Sequence, residues 1–181
     1  MARAAPSDEV GAALRAAFII GAGRSGTQDV VFFVNQLVEL AVRALSPGIN
    51  DPATARMCID RLEAALCLVA GRATPSSARY DEQEVLRVVA MPVTFAEMLD
   101  VAFTEISDHG RSSVSVSCRL LDAVRGLAAC TTDEDDRGTL RRLAAAIGDR
   151  KATSFDSDRD HARVADCYRA AMAATAGPPR P

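Results

Sequence analysis

Apolar residues recur along this chain with a helical period, and one stretch carries them more densely than any other. Projected at about 100° per residue, Gln28, Asp29, Asn35, Gln36, Glu39 and Arg43 gather on one arc of roughly 120°, with Phe32 among them. The rest of the circumference between Gln28 and Leu45 holds Val30, Val31, Phe33, Val34, Leu37, Val38, Leu40, Ala41, Val42, Ala44 and Leu45. A helix apolar over about two-thirds of its girth packs against several neighbours at once. The pattern therefore predicts this helix as the central, buried one.

The run Ser46-Pro47-Gly48-Ile49-Asn50-Asp51-Pro52 stops that helix abruptly. Pro47 cannot continue it and biases Ser46 towards extended backbone. Gly48 admits a positive φ after the helix end. Asp51 stands where an N-cap is needed and Pro52 suits the first position of a new helix. That helix runs from Pro52 to about Ala70, with Ile59, Leu62, Leu66 and Val69 as its stripe and Gly71 as its stop.

The other elements follow from the same signals. Ser7 caps a helix reaching Ile20, with Asp8 and Glu9 in its first turn. Val85–Val89 is the one β-leaning run and points to a short hairpin around Asp81–Glu84. Thr94 and Glu97 form a capping box, and the helix it opens carries Phe95, Met98, Leu99, Ala102, Phe103 and Ile106 before Gly110. Ser112 or Ser113 caps a helix through about Ala129, and a last helix spans about Asp158 to Ala174. The expected fold is mainly α: a compact bundle of about six helices around a central buried helix, with one small β-hairpin. It reads as a single domain over residues 1–176, followed by a disordered tail at 177–181.

Composition narrows the functional classes. With 181 residues the chain can bury a substantial core. A net charge of −3 speaks against a nucleic-acid binder working by general electrostatics. The five cysteines, Cys58, Cys67, Cys118, Cys130 and Cys167, are odd in number and lack a Cys-x-x-Cys pair. They read as small buried side chains in a reducing compartment, not as a disulfide framework or zinc site. No stretch approaches the ~18 apolar residues of a membrane span, and Ser7-Asp8-Glu9 interrupts any signal-peptide pattern. A cytoplasmic location is expected, with membrane association through a partner as its variant.

Several motifs invite a chemical reading. Gly21-Ala22-Gly23-Arg24-Ser25-Gly26 matches a dinucleotide fingerprint, which needs a strand before it and a second strand closing a βαβ unit. The upstream period is helical and the downstream segment is the proline corner, so the run reads as a glycine linker. Asp133-Glu134-Asp135-Asp136 reads as charge favoured at a helix start, and Arg137, Arg141 and Arg142 make it a solvated face. His109, His161 and the serines between Ser112 and Ser117 show no partner in sequence that would assemble a catalytic group. No cofactor or metal is expected.

The strongest candidate site is the polar arc with its corner: Arg24, Gln28, Asp29, Gln36, Glu39, Arg43, Ser46, Asn50 and Asp51. It reads either as a polar pocket or as a structural network, since buried polar groups are paired. Glu39 and Arg43 are spaced as an i,i+4 ion pair.

These residues also carry a resemblance. Arg24, Gln28-Asp29, Gln36-Leu37-Val38 and above all Arg43–Pro52 with Thr54-Ala55 resemble a bacterial family of predicted membrane proteins, domain of unknown function 2254. Pro92, Phe95, Leu99, Ala102-Phe103, Ile106 and Gly110 extend the likeness over most of residues 20–125. Glu39 stands where the family usually has Asp, and Phe33 where it usually has Gly. The resemblance implies the soluble C-terminal part of such a protein, acting non-enzymatically in association or sensing, with a homo-oligomer or a membrane-protein partner. The alternative is an anion- or nucleotide-binding or hydrolytic domain using the corner from Arg43 to Asp51.

Overall fold

The computed structural model describes residues 7–17, 29–148, 155 and 157–177. Seven helices and one hairpin follow in chain order: α1 (Asp8–Ala17), α2 (Val30–Ala44), α3 (Pro52–Ala70), β1 (Ala78–Tyr80), β2 (Leu86–Val89), α4 (Phe95–His109), α5 (Val114–Cys130), α6 (Glu134–Gly148) and α7 (Asp158–Ala176). The fold is mainly α, as expected, with one helix more than the expected six among the described residues.

The helix boundaries are set by local chemistry. Asp51 accepts from the N–H groups of Ala53 and Thr54, and Pro52 opens α3. At α4 the Thr94 hydroxyl and the Glu97 carboxylate satisfy each other's backbone donors, which removes two of the free N–H groups every helix start leaves over. Of the two candidate serines, Ser113 caps α5, accepting from Val116 N. Gly110 closes α4 because nothing larger fits: a Cβ there would lie 2.5 Å from Val116 Cγ1 and 2.9 Å from the Ile106 carbonyl.

The centre of the bundle is α5, not α2. Val116, Ser117, Cys118, Leu120, Leu121, Ala123, Val124, Leu127 and Ala128 are all buried, covering about 220° of the helix at 100° per residue. Four helices, α3, α4, α6 and α7, pack around it. By contrast α2 packs on α3 and α4 and buries one stripe, Val34, Val38, Ala41 and Ala44. Its first residue, Val30, and the flank carrying Phe33 and Leu40 stand in solvent, Phe33 at 58% exposure. The expectation of a central α2 fails because apolar girth does not report how many neighbours cover it. Helix α5 reads as less hydrophobic because Ala, Ser and Cys hold several of its buried positions, and small side chains let neighbouring helices approach.

Two further expectations change. Arg137 belongs to no solvated face: it is 2% exposed. Its Nη1 donates to the carbonyls of Ala128 (2.7 Å) and Thr131 (3.4 Å). Its Nη2 donates to Ala174 O (2.7 Å) and to Gly177 O. These carbonyls lie at the C-terminal ends of α5 and α7, where free acceptors and the helix dipole attract a cation. The cysteines also depart from the all-thiol reading, because Cys67 on α3 and Cys130 at the end of α5 form a disulfide. Their spacing of 63 residues carries no framework signature, and only the register of two packed helices brings them together.

These assignments make unequal demands on two leucines. Leu121→Ala should lower the unfolding free energy by about 2–5 kcal/mol. Leu40→Ala should stay within about 0.5 kcal/mol, as for an exposed position. Urea denaturation of both variants checks this, and equal losses would contradict the placement of α5.

Candidate functional site

The corner between α2 and α3 is built almost wholly from its own backbone. The Ser46 hydroxyl donates to the Arg43 carbonyl at 2.7 Å, and the Ser46 carbonyl accepts from Ile49 N and Asn50 N. Asp51 N donates back to Ala44 O at 2.7 Å. The positive φ falls on Asn50, at 48°, whereas no described glycine has a positive φ. The freedom assigned to Gly48 is therefore exercised by Asn50, one of the few non-glycine residues that tolerates this region.

The Asp51 carboxylate is fully engaged. Oδ1 accepts from Ala53 N and Thr54 N, and Oδ2 from the Thr54 hydroxyl at 2.6 Å. The Thr54 hydroxyl first, and the Thr54 and Ala53 amides with it, hold this carboxyl below its ordinary value. Asp29 caps α2 through Val31 N. Gln36, Glu39 and Arg43 are exposed on the outer face of α2, and no ion pair joins Glu39 to Arg43 among the described residues. Phe33 shares that face and fills no interior space. Arg24, Gln28 and the glycine run 21–26 lie outside the described residues.

Sequence reasoning missed a second polar constellation, at a cleft of about 780 Å³ between α3, α5 and α7. Arg119 on α5 donates through Nε to Asp60 and through Nη2 to Glu63, both on α3. Burial opposes the charge on Arg119, but the hydrogen bonds to Glu63 and Asp60 outweigh it and raise the guanidinium above its ordinary value. Gly126 makes the room: a Cβ there would lie 1.8 Å from Glu63 Oε1. Ala129, Ala170, Ala173 and Ala174 supply small walls, and Arg125 pairs with Asp122 at 3.1 Å on the rim. In the sequence Arg56, Asp60 and Glu63 are spaced along one face of α3, a signal that does not name Arg119 as partner. Among the described residues each of these charges has a partner of opposite sign, three carboxylates against two guanidiniums.

The acidic run reduces to capping as well. Asp133 Oδ1 accepts from Asp135 N at 2.8 Å and Asp136 N at 3.1 Å. Burial first, then the charge of Asp133, push the Asp136 carboxyl up.

The corner carries two testable consequences. Asn50→Ala should lose about 1 kcal/mol, because alanine resists the left-handed region, while Asn50→Gly should leave stability near wild type. Calorimetry of both checks this, and equal losses would place the value of Asn50 in its amide instead. Because the Asp51 value is lowered in the fold, its contribution is present above the ordinary 3.8 and is lost as pH falls through the lowered value. Asp51→Asn should therefore flatten the acid limb of the melting curve against pH; an unchanged limb would contradict this.

The comparisons with known proteins agree with the family resemblance. Over 146 residues the chain is 32% identical to the uncharacterised proteins Rv1290c and MT1328 of Mycobacterium tuberculosis and Mb1321c of Mycobacterium bovis. That match covers 80% of this chain and 28% of each relative, so the chain spans under a third of their length. No solved structure matches it. Among the described residues no helix is long and apolar enough to cross a membrane. A family model described as "Predicted membrane protein (DUF2254)" matches residues 1–126, and the chain belongs to that family.

Proposed function

We propose that this chain is a non-enzymatic association domain that pairs with a second copy of itself through the β1–β2 hairpin. One observation carries the reading: the hairpin is bare on both faces. Val88 and Val89 are consecutive, so they point to opposite faces, and both are exposed, as are Tyr80, Leu86 and Met91. A lone two-stranded hairpin is marginal in water, and an exposed apolar cluster with two open edges marks an interaction surface.

The hairpin is nevertheless well formed. Asp81 Oδ1 accepts from Gln83 N and Val85 N, and Oδ2 from Arg87 Nε at 2.6 Å. The Val85 amide first, then Arg87, hold the Asp81 carboxyl below its ordinary value. Its turn is thus fixed while its faces await cover. The charges favour a copy of the same chain as occupant. Glu82 and Glu84 sit at the turn, and Arg79 is the middle residue of β1, paired in register with Val88. Antiparallel pairing about a two-fold axis sets the acidic turn of each copy beside Arg79 of the other. The paired charges at Arg119 and the self-satisfied corner support a non-catalytic reading.

Light scattering across a concentration series tests this. The wild type should show dimer mass, and Val88→Glu with Val89→Glu should shift it to monomer with an unchanged helical spectrum. A wild type that stays monomeric at every concentration overturns the proposal, as does a double variant that still dimerises. A monomer that binds only a membrane-protein partner would transfer the surface to that partner and defeat the second-copy reading.

A further inference from the structure

The central helix carries a second pair of cysteine sulfurs that the disulfide does not use. Cys118 lies on α5 and Cys167 on α7, 49 residues apart in sequence, and their Sγ atoms are 2.7 Å apart. Unbonded heavy atoms settle at about 3.5–4.0 Å, while a disulfide bond measures about 2.04 Å. The two thiols therefore stand inside contact distance, with the Cys118 sulfur also 3.8 Å from the Arg163 carbonyl. Cys118 is buried and Cys167 half-buried, so reagent reaches α7 first. The third free thiol, Cys58, is buried in the core on α3.

We infer that Cys118 and Cys167 form a reversible disulfide site that straps α5 to α7 when a low-molecular-weight disulfide oxidises it. The Cys167 thiolate attacks one sulfur of the oxidant and expels the first thiolate, leaving a mixed disulfide on α7. The Cys118 thiolate then attacks the Cys167 sulfur and expels the second. Two protons pass to the two departing thiolates, and the two electrons of the protein pair reduce the oxidant to two thiols. The environment sets this order. Burial above all, with the Cys167 thiol and the charge of Asp122 adding and Arg163 opposing, pushes the Cys118 thiol up to about 12. Cys118 is thus a poor first nucleophile and a well-placed resolving one. With Cys67–Cys130 already joining α3 to α5, closure would tether the central helix covalently to two of its neighbours.

The test uses the whole chain and oxidised glutathione. The protein is incubated folded, then denatured and alkylated without reductant, and its mass is counted. Before treatment three thiols should alkylate, Cys58, Cys118 and Cys167. After it only Cys58 should, and a non-reducing digest should yield the cross-linked Cys118 and Cys167 peptides. The Cys167→Ser variant should keep Cys58 and Cys118 open to alkylation under the same treatment. Three open thiols after oxidation, glutathione retained on Cys167 without closure, or a bridge involving Cys58 would each overturn the inference. The wild-type cross-link decides the matter even where the variant folds poorly.

Discussion

A guanidinium that pairs with no carboxylate among the described residues ties three helices of the bundle together. Arg137 ends among four carbonyls at the C-terminal ends of α5 and α7, and its charge is balanced by the partial negative charge of those helix ends. The Ala128 and Thr131 carbonyls would otherwise be buried acceptors, each costing about 1–3 kcal/mol. Replacing the charge with an apolar group would strand both. Helices α5, α6 and α7 thus meet at one polar joint inside an apolar core, and the groove beside it inherits its shape from that meeting.

The other fastenings of α5 are of different kinds. Arg119 reaches α3 through two carboxylates on a part-exposed surface, where an ion pair contributes only about 0.2–1 kcal/mol. The Cys67–Cys130 bond reaches the same helix covalently. Against these stand the fully buried Phe103, Ile106, Leu120, Leu121 and Leu127, each worth roughly 1.5–3 kcal/mol of burial. Apolar packing supplies most of the stability, and the polar contacts decide which helix ends meet. Beyond that core the molecule is unevenly covered, with α1, the outer face of α2 and the hairpin all presenting apolar side chains to solvent.

What the sequence disclosed was local. Asp51-Pro52, Thr94 with Glu97, Gly71 and Gly110 were legible because caps and stops act over three or four residues. The hairpin was legible from one β-leaning run and its acidic turn. The corner was legible as a turn but not in detail, since its strained position fell on Asn50 instead of Gly48. Three features were hidden because they depend on packing between distant segments. Arg137 looked like one cation in a charged stretch, while one of its acceptors lies 40 residues away. The cysteine pairings arise from helix register. The identity of the central helix turns on how many neighbours surround it, and Phe33 and Leu40 counted towards burial in sequence although the fold leaves them wet.

Native-state hydrogen exchange on the intact chain tests the placement of the core most directly. The amides of α5 between Leu120 and Leu127 should exchange slowest, opening only with global unfolding, while those of α1, which buries no residue, exchange fastest and those of α2 at intermediate free energy. Slowest exchange in α2, with α5 opening at lower free energy, would contradict the account.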